Sequence, residues 1–338
     1  MKVLNLYGVN DLRYDEVPVP EPAAGEVLLQ VRACGICGSD IPRVFEKGTY
    51  HFPTIIGHEF AGKIVEAEDK ELLGRRAAVF PLLPCGKCPA CAEGHYALCE
   101  AYSYYGSRQN GGMAEFLAVK AENLCLLPEG IPYEWGAMSE PAAVAYHALR
   151  KTGVGVGDSL LIYGIGTIGL LIAQWAKASG VRRIVLAGRT QAKLNIAAKL
   201  GFEAMDISKL ADVKDMDACI EGTGSVAGVE ACLQASRNFA RVVLLGNPEG
   251  PINLSQKNYW HILRKELQLM GTWNSSFTAL HNDWRQAVWG MQTGILNPDP
   301  LITHRFSLFD YKKAFSLMHE KRETYLKVML IMGSDDND

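Results

Sequence analysis

The chain has 338 residues, of which 48% are apolar and 21% charged. That is the balance of a soluble globular protein, with length for about two domains. Its 34 Lys and Arg against 37 Asp and Glu give a formal charge of −3, without the basic excess expected of a nucleic-acid partner, and 33 glycines with 15 prolines exclude a collagenous or low-complexity chain.

The opening segment MKVLNLYGVNDL is too short and too polar for a signal peptide, because Asn5 and Asn10 interrupt any apolar core. Short β-like runs follow at 26–33, 62–66, 77–80 and 114–119, broken by Gly and Pro. They predict a β-rich module with long functional loops. From about 143 to 273 the texture changes. Strand-like runs at 160–163, 184–187, 204–207, 218–221, 242–245 and 267–271 alternate with helical stretches such as 167–179 and 191–200. Gly180 and Gly201 stand where helices commonly end on glycine. Alternation of this kind predicts an α/β unit with a six-stranded parallel sheet covered on both faces. By length alone the apolar run 159–178 resembles a membrane span, but Gly164, Gly166 and Gly169 divide it into strand, turn and helix, so no membrane partner is expected. Helices at 283–293 and 309–321 and a strand at 326–331 are expected to pack back on the first module, and the acidic end 334–338 is expected to fray. A cytosolic chain keeps its thiols reduced. The nine cysteines are therefore read as metal ligands or buried small residues, with Cys34, Cys125, Cys219 and Cys232 in the second group.

Cys85, Cys88, Cys91 and Cys99 follow the spacing C-x2-C-x2-C-x7-C. Four thiolates in one short segment can close a tetrahedron around Zn²⁺. Iron–sulfur ligation is the weaker alternative, since the fourth cysteine is not followed by Pro and no second set exists. A closed four-thiolate site has no open position and is structural. A second constellation is more scattered: Cys37 in CGICGSD, His58 and Glu59 in GHEFAG, and Glu140 in SEPAAVAYH. One thiolate, one imidazole and one or two carboxylates from distant segments suit an open, catalytic zinc site. Further on, Gly164-Ile165-Gly166-Thr167-Ile168-Gly169 closes a predicted strand and opens a predicted helix. In that context GxGxxG is a dinucleotide turn, and the helix N-terminus faces the pyrophosphate. An NAD site places Asp or Glu near the end of the next strand to bind the ribose 2′-hydroxyl. Gly188-Arg189-Thr190 stands there instead. Gly188 leaves room, Arg189 can fork onto a 2′-phosphate, and Thr190 and Lys193 can add contacts. NADP(H) is therefore expected over NAD(H), the alternative being that Arg189 is a solvated loop residue.

Together, GHEFAGKIV, the four-cysteine lobe and GIGTIG resemble the zinc-dependent medium-chain alcohol and polyol dehydrogenases, over nearly the whole chain. Glu140 in SEPAAVAYHAL is similar to the polyol branch. CGSDIPRVF, FPLLPCGKCPAC, YGSRQNGGMAEF and ILRKELQLMGTW resemble its galactitol-phosphate members. The resemblance implies a GroES-like catalytic domain over 1–142 and 279–338 and a doubly wound Rossmann domain over 143–278. It also implies that Cys37, His58 and Glu140 hold the catalytic zinc, with Glu59 as ligand or exchanging ligand, so that two zinc ions serve each subunit. The reaction implied is reversible oxidation of a secondary hydroxyl of a polyol or polyol phosphate to a ketone, in a homodimer or homotetramer. Arg43 and Arg108 match the galactitol-phosphate group and are candidates for a sugar phosphate, or else anchor loops. Two departures stand out. Gly74-Arg75-Arg76 replaces the usual Gly-Asp after a shortened loop. Pro42 replaces the relay histidine, leaving Ser39 as the first relay hydroxyl, with His51 or water beyond it. Three rivals remain at this stage: a redox-silent dinucleotide-binding protein, a zinc-ribbon nucleic-acid module, and a dehydrogenase of a simple alcohol, aldehyde or ketone.

Overall fold

Burial alternates and then becomes continuous along the strand Glu26–Ile36, which makes it the centre of a seven-stranded sheet. In this computed structural model, which describes residues 1–333, one edge of that strand pairs antiparallel with Glu59–Ala67. Its other edge is shared by Phe116–Lys120 near the start and Lys327–Ile331 at the end. Val27, Leu29, Val31, Phe60, Ile64, Val328 and Leu330 form the core beneath. The expected fraying of 334–338 lies outside the described residues.

The chain divides into two units, Met1–Glu140 with Ser276–Asp338, and Pro141–Ser275. In the first, helix Asp283–Gln292 rests on the β-rich core through Trp284. That ring meets Phe80 and Phe277 edge-on at 5.7 and 6.1 Å, and the two phenylalanines stack at 4.8 Å. The N-terminal hairpin Lys2–Gly8/Asp11–Glu16 escaped the sequence analysis. Its signal is the Gly8–Asn10 turn, where Asn10 takes a φ of 64°.

In the second unit, six parallel strands lie in the order Glu203–Asp206, Arg183–Gly188, Ser159–Tyr163, Met216–Glu221, Ser236–Leu244 and Gln268–Gly271. This is the doubly wound sheet that the alternation predicts. The strand order reverses between Ser159–Tyr163 and Met216–Glu221, the usual place for a ligand. Ser159–Tyr163 is buried throughout, which is why it reads as a continuous apolar run. The run 159–178 is that strand, the glycine turn and helix Thr167–Ala178. Among the described residues no helix is long and apolar enough to cross a membrane. Helices Val226–Ala235 and Gln256–Arg264 were not delimited from sequence, because each lies between strands without a glycine stop.

Trp284 is 1% exposed. Trp284→Ala is expected to cost about 3–5 kcal/mol, read as a lower urea midpoint for the first unit.

Candidate active site

The central strand ends at Ile36, and the turn that follows presents Cys37. The neighbouring strand opens with Glu59, paired opposite Gly35, and His58 precedes it. Pairing therefore brings three scattered residues together. The ligand atoms of Cys37, His58 and Glu59 all lie within 4.8 Å of one another. Gly35 is required here, since a Cβ would stand 2.2 Å from Glu59 Oε2. Glu140, in the first turn of helix Ser139–Thr152, is buried but lies outside that set of three. Burial pushes its carboxyl up to about 7, the His58 charge opposing and the Glu59 charge reinforcing the rise.

Two residues of this site were missed in the sequence. Asp40 is fully buried. One of its oxygens accepts the Cys37 N–H at 2.9 Å, and the other accepts from Arg43 Nη1 at 2.9 Å and lies 3.6 Å from His58 Nδ1. At that distance His58 Nδ1 has no hydrogen-bond partner among the described residues, so Asp40 acts on the ring through its charge. Burial opposes ionisation of Asp40, but His58 and Arg43 outweigh it and bring its carboxyl down to about 2. Burial likewise opposes protonation of His58, yet Asp40 and the Cys37 sulfur raise it well above its usual value. Lys327 is the second missed residue. It opens the strand on the other side of Glu26–Ile36, and its buried ammonium donates to Glu59 Oε2 and to the Ile36 carbonyl at 3.3 Å. Burial would lower the Lys327 pKa, but the Glu59 carboxylate and Cys37 hold it above its ordinary value. The sequence signal was a lysine heading the apolar run VMLI, where a buried strand has no other reason for a charge.

The remaining predicted residues of this unit are engaged as follows. Ser39 accepts from Arg43 Nη1 at 3.0 Å, so Arg43 is committed to Ser39 and Asp40. Arg108 lies over the rings of Tyr50 and Tyr102, 4.2 and 4.6 Å from their centroids. It donates from Nη1 to the Tyr102 carbonyl, while its buried Nε has no hydrogen-bond partner. His51 sits between the Arg108 carbonyl and the Thr54 hydroxyl, each at 3.1 Å.

In the cysteine lobe, Pro89 starts the short helix Pro89–Ala92 with Cys88 as its cap, and the turn Tyr96–Leu98 delivers Cys99. The sulfurs of Cys85, Cys88, Cys91 and Cys99 lie within 4.8 Å of one another, Cys88–Cys91 at 3.5 Å and Cys85–Cys91 at 3.9 Å. Zn–S bonds of about 2.3 Å make a tetrahedron with edges of about 3.8 Å, so the four sulfurs fit zinc. The N–H groups of Glu100 and Cys91 draw the Cys88 thiol down to about 6, while burial and Cys88 push Cys91 up to about 12. Cys34, Cys125, Cys219 and Cys232 are all buried.

In the second unit, Gly164 takes a φ of 124°. A Cβ on Gly169 would stand 2.2 Å from the Gly164 carbonyl oxygen, so the helix packs tightly on the turn. Gly166 caps helix Thr167–Ala178, with Thr167 and Ile168 half-buried in its first turn. Gly188 ends its strand, and Arg189 and Thr190 are exposed beyond it. Thr190 caps helix Gln191–Lys199, which carries Lys193. The nearest acid in register is Asp206, opposite Gly188. One of its carboxylate oxygens accepts from the N–H and hydroxyl of Ser208.

Residues 23–129 match the alcohol dehydrogenase GroES-like domain, and residues 167–292 match the zinc-binding dehydrogenase model. Galactitol 1-phosphate 5-dehydrogenase of Escherichia coli K12 is 33% identical, over 90% of this chain and 94% of the relative. The chain belongs to the zinc-binding dehydrogenase family. It is an oxidoreductase with a GroES-like part and a Rossmann part. L-threonine 3-dehydrogenase of Pyrococcus furiosus is also 33% identical, over 93% of this chain and 94% of that protein. The crystal structure of galactitol-1-phosphate dehydrogenase from E. coli aligns with a TM-score of 0.91 at 32% identity, covering 98% of this chain and all of that one. A zinc-binding dehydrogenase from Sinorhizobium meliloti, bound to NADP, aligns at 0.90 with 28% identity, covering 98% of both chains.

Removing one partner of a buried ion pair strands the other charge. Lys327→Met is expected to destabilise the chelator-treated protein by about 3–5 kcal/mol, measured by urea unfolding above pH 7.

Proposed function

We propose that the chain is a zinc-dependent, NADP(H)-preferring dehydrogenase of a secondary hydroxyl in a polyol or polyol phosphate, yielding a ketose or ketose phosphate. The observation that carries this reading is the convergence of Cys37, His58 and Glu59 ligand atoms within 4.8 Å, in a chain of the zinc-binding dehydrogenase family. Cys37, His58 and Glu140 hold the catalytic zinc. Glu59 is a ligand or exchanging ligand, with Lys327 as its partner when it is off the metal. Cys85, Cys88, Cys91 and Cys99 hold a second, structural zinc. When bound, zinc supplies a Lewis acid that lowers the pKa of bound water from 15.7 to about 7 and of an alcohol in the same sense, and the nicotinamide supplies the redox partner.

The protein's own groups then have separable tasks. Asp40 closes the Cys37 turn and places negative charge beside the His58 ring. Ser39, whose oxygen is already accepting from Arg43, keeps its own proton available and is the first relay hydroxyl. Arg43 is occupied within the site, so Arg108, which is only half-buried, is the better candidate for a substrate phosphate. Gly164, Gly166 and Gly169, with Thr167 and Ile168, form the pyrophosphate turn. Gly188 and Arg189, with Thr190 and Lys193, receive the 2′-phosphate, and the exposure of Arg189 beside an engaged Asp206 supports that choice. A cytoplasmic homodimer or homotetramer completes the proposal, the edge strand Gln268–Gly271 being available for pairing. The threonine dehydrogenase relative favours a second reading, an unphosphorylated secondary alcohol as substrate.

Elemental analysis of purified protein is expected to show two zinc ions per subunit. Cys37→Ser is expected to leave one and to abolish turnover, and a single metal confined to the cysteine lobe of the unaltered protein would defeat the reading. In steady-state assays kcat/KM is expected to be higher with NADP⁺ than with NAD⁺, and higher for phosphorylated than for free polyols. Arg189→Ala is expected to remove about tenfold or more of the NADP⁺ preference by deleting a charge-assisted fork. Equal or better kcat/KM of the unaltered protein with NAD⁺ refutes the cofactor choice.

A further inference from the structure

Glu221 ends the strand Met216–Glu221 and is 1% exposed, beneath a loop whose Gly222 and Thr223 are exposed. Its Oε1 accepts from the Thr223 N–H at 2.8 Å and from the Thr223 hydroxyl, and Oε2 accepts from the Gly224 N–H at 2.9 Å. Its main-chain carbonyl accepts from the N–H groups of Leu245 and Gly246 at 2.8 and 3.0 Å. On the other flank, the Gly222 N–H donates to the Tyr163 carbonyl at 2.9 Å, just before the glycine turn. Glu221 and Gly222 thus tie together three adjacent strand ends, those of Ser159–Tyr163, Met216–Glu221 and Ser236–Leu244, while the Glu221 carboxylate holds the loop that follows.

The packing leaves the loop no slack. A Cβ on Gly246 would stand 1.9 Å from the Gly224 nitrogen, and one on Gly228 would stand 2.4 Å from Glu221 Oε1. A carboxylate removed from water and satisfied by N–H and O–H donors is costly unless those donors stay fixed. A surface loop needs no such device merely to turn. This one borders the point where the strand order reverses, and a dinucleotide crosses a doubly wound sheet there. The ribose 2′ determinant follows Arg183–Gly188, so the adenosine half lies on that side and the other nucleotide half lies towards Met216–Glu221.

We infer that Glu221 is a positioning residue that holds the loop 222–225 in the shape that receives the nicotinamide half of the dinucleotide. The inference rests on the reading of this unit as dinucleotide-binding. It is tested by calorimetric titration of the zinc-loaded protein with NADPH and with adenosine 2′,5′-bisphosphate, or with NADH and ADP if NADH binds more tightly. Glu221→Gln turns an acceptor oxygen into an amide donor that faces the loop N–H groups. It is expected to raise Kd for the whole dinucleotide about tenfold and to leave the adenosine fragment within about twofold. Thr223→Val deletes the hydroxyl's bonds to Glu221 and Ser225 while keeping the Glu221 charge and the Thr223 N–H bond, and is expected to raise Kd for the dinucleotide alone by about threefold, which preserves the test if the first variant does not fold. Equal weakening of dinucleotide and fragment, or no change in either, overturns the inference and leaves the dinucleotide reading standing. If the unaltered protein binds neither dinucleotide, both fall together.

Discussion

A buried ion pair stands at the end of the central strand. Glu59 and Lys327 come from the two strands that flank Glu26–Ile36, and both are almost wholly buried. Such a pair costs several kcal/mol of desolvation per ion, and an apolar pair of similar volume would often be as stable or more so. Its neighbours explain why charge is concentrated there. Cys37, Asp40, Glu59 and Glu140 bring acidic groups into one interior, against Lys327, Arg43 and His58. In the proposed reading a divalent cation among them would make up positive charge that the side chains lack with His58 neutral.

The second unit solves a related problem with main-chain donors. At the head of its sheet a carboxylate is buried among N–H groups, and glycines let three loops approach closely. In both units, then, a strand end carries a buried acid: Glu59 is answered by a lysine from another strand, and Glu221 by donors of the loop that follows its own strand. In the first unit sheet register sets the positions of the charged groups; in the second the carboxylate sets the conformation of a loop.

Much of this was legible because it is local. The cysteine lobe, the glycine turn and the missing acid after Arg183–Gly188 are each written within a few residues, and the apolar periodicity gave the six parallel strands. Gly180 and Gly201, with φ of 79° and 83°, mark the helix ends that their spacing suggests. Asp40 and Lys327 were not legible in the same way. Asp40 acts on His58 eighteen positions away, and Lys327 meets Glu59 only because both strands pair with the same central strand. The lysine heading VMLI marks a buried charge, but nothing short-range names its partner. Arg43 shows the opposite limit: the sequence leaves it as a sugar-phosphate contact or a loop anchor, and the fold engages it with Ser39 and Asp40.

The cysteine lobe carries a liability along with its stability. Its four sulfurs come from one stretch of fifteen residues, so the loop that closes on the ion is short and its capture needs little ordering elsewhere. Without metal, the N–H groups of Glu100 and Cys91 favour the thiolate form of Cys88, which lies 3.5 Å from the Cys91 sulfur. Peroxide would convert such a thiolate to a sulfenic acid, which condenses with a neighbouring thiol to a disulfide. In the proposed reading, loss of zinc would thus open the lobe to oxidation, and zinc held there would shield its sulfurs.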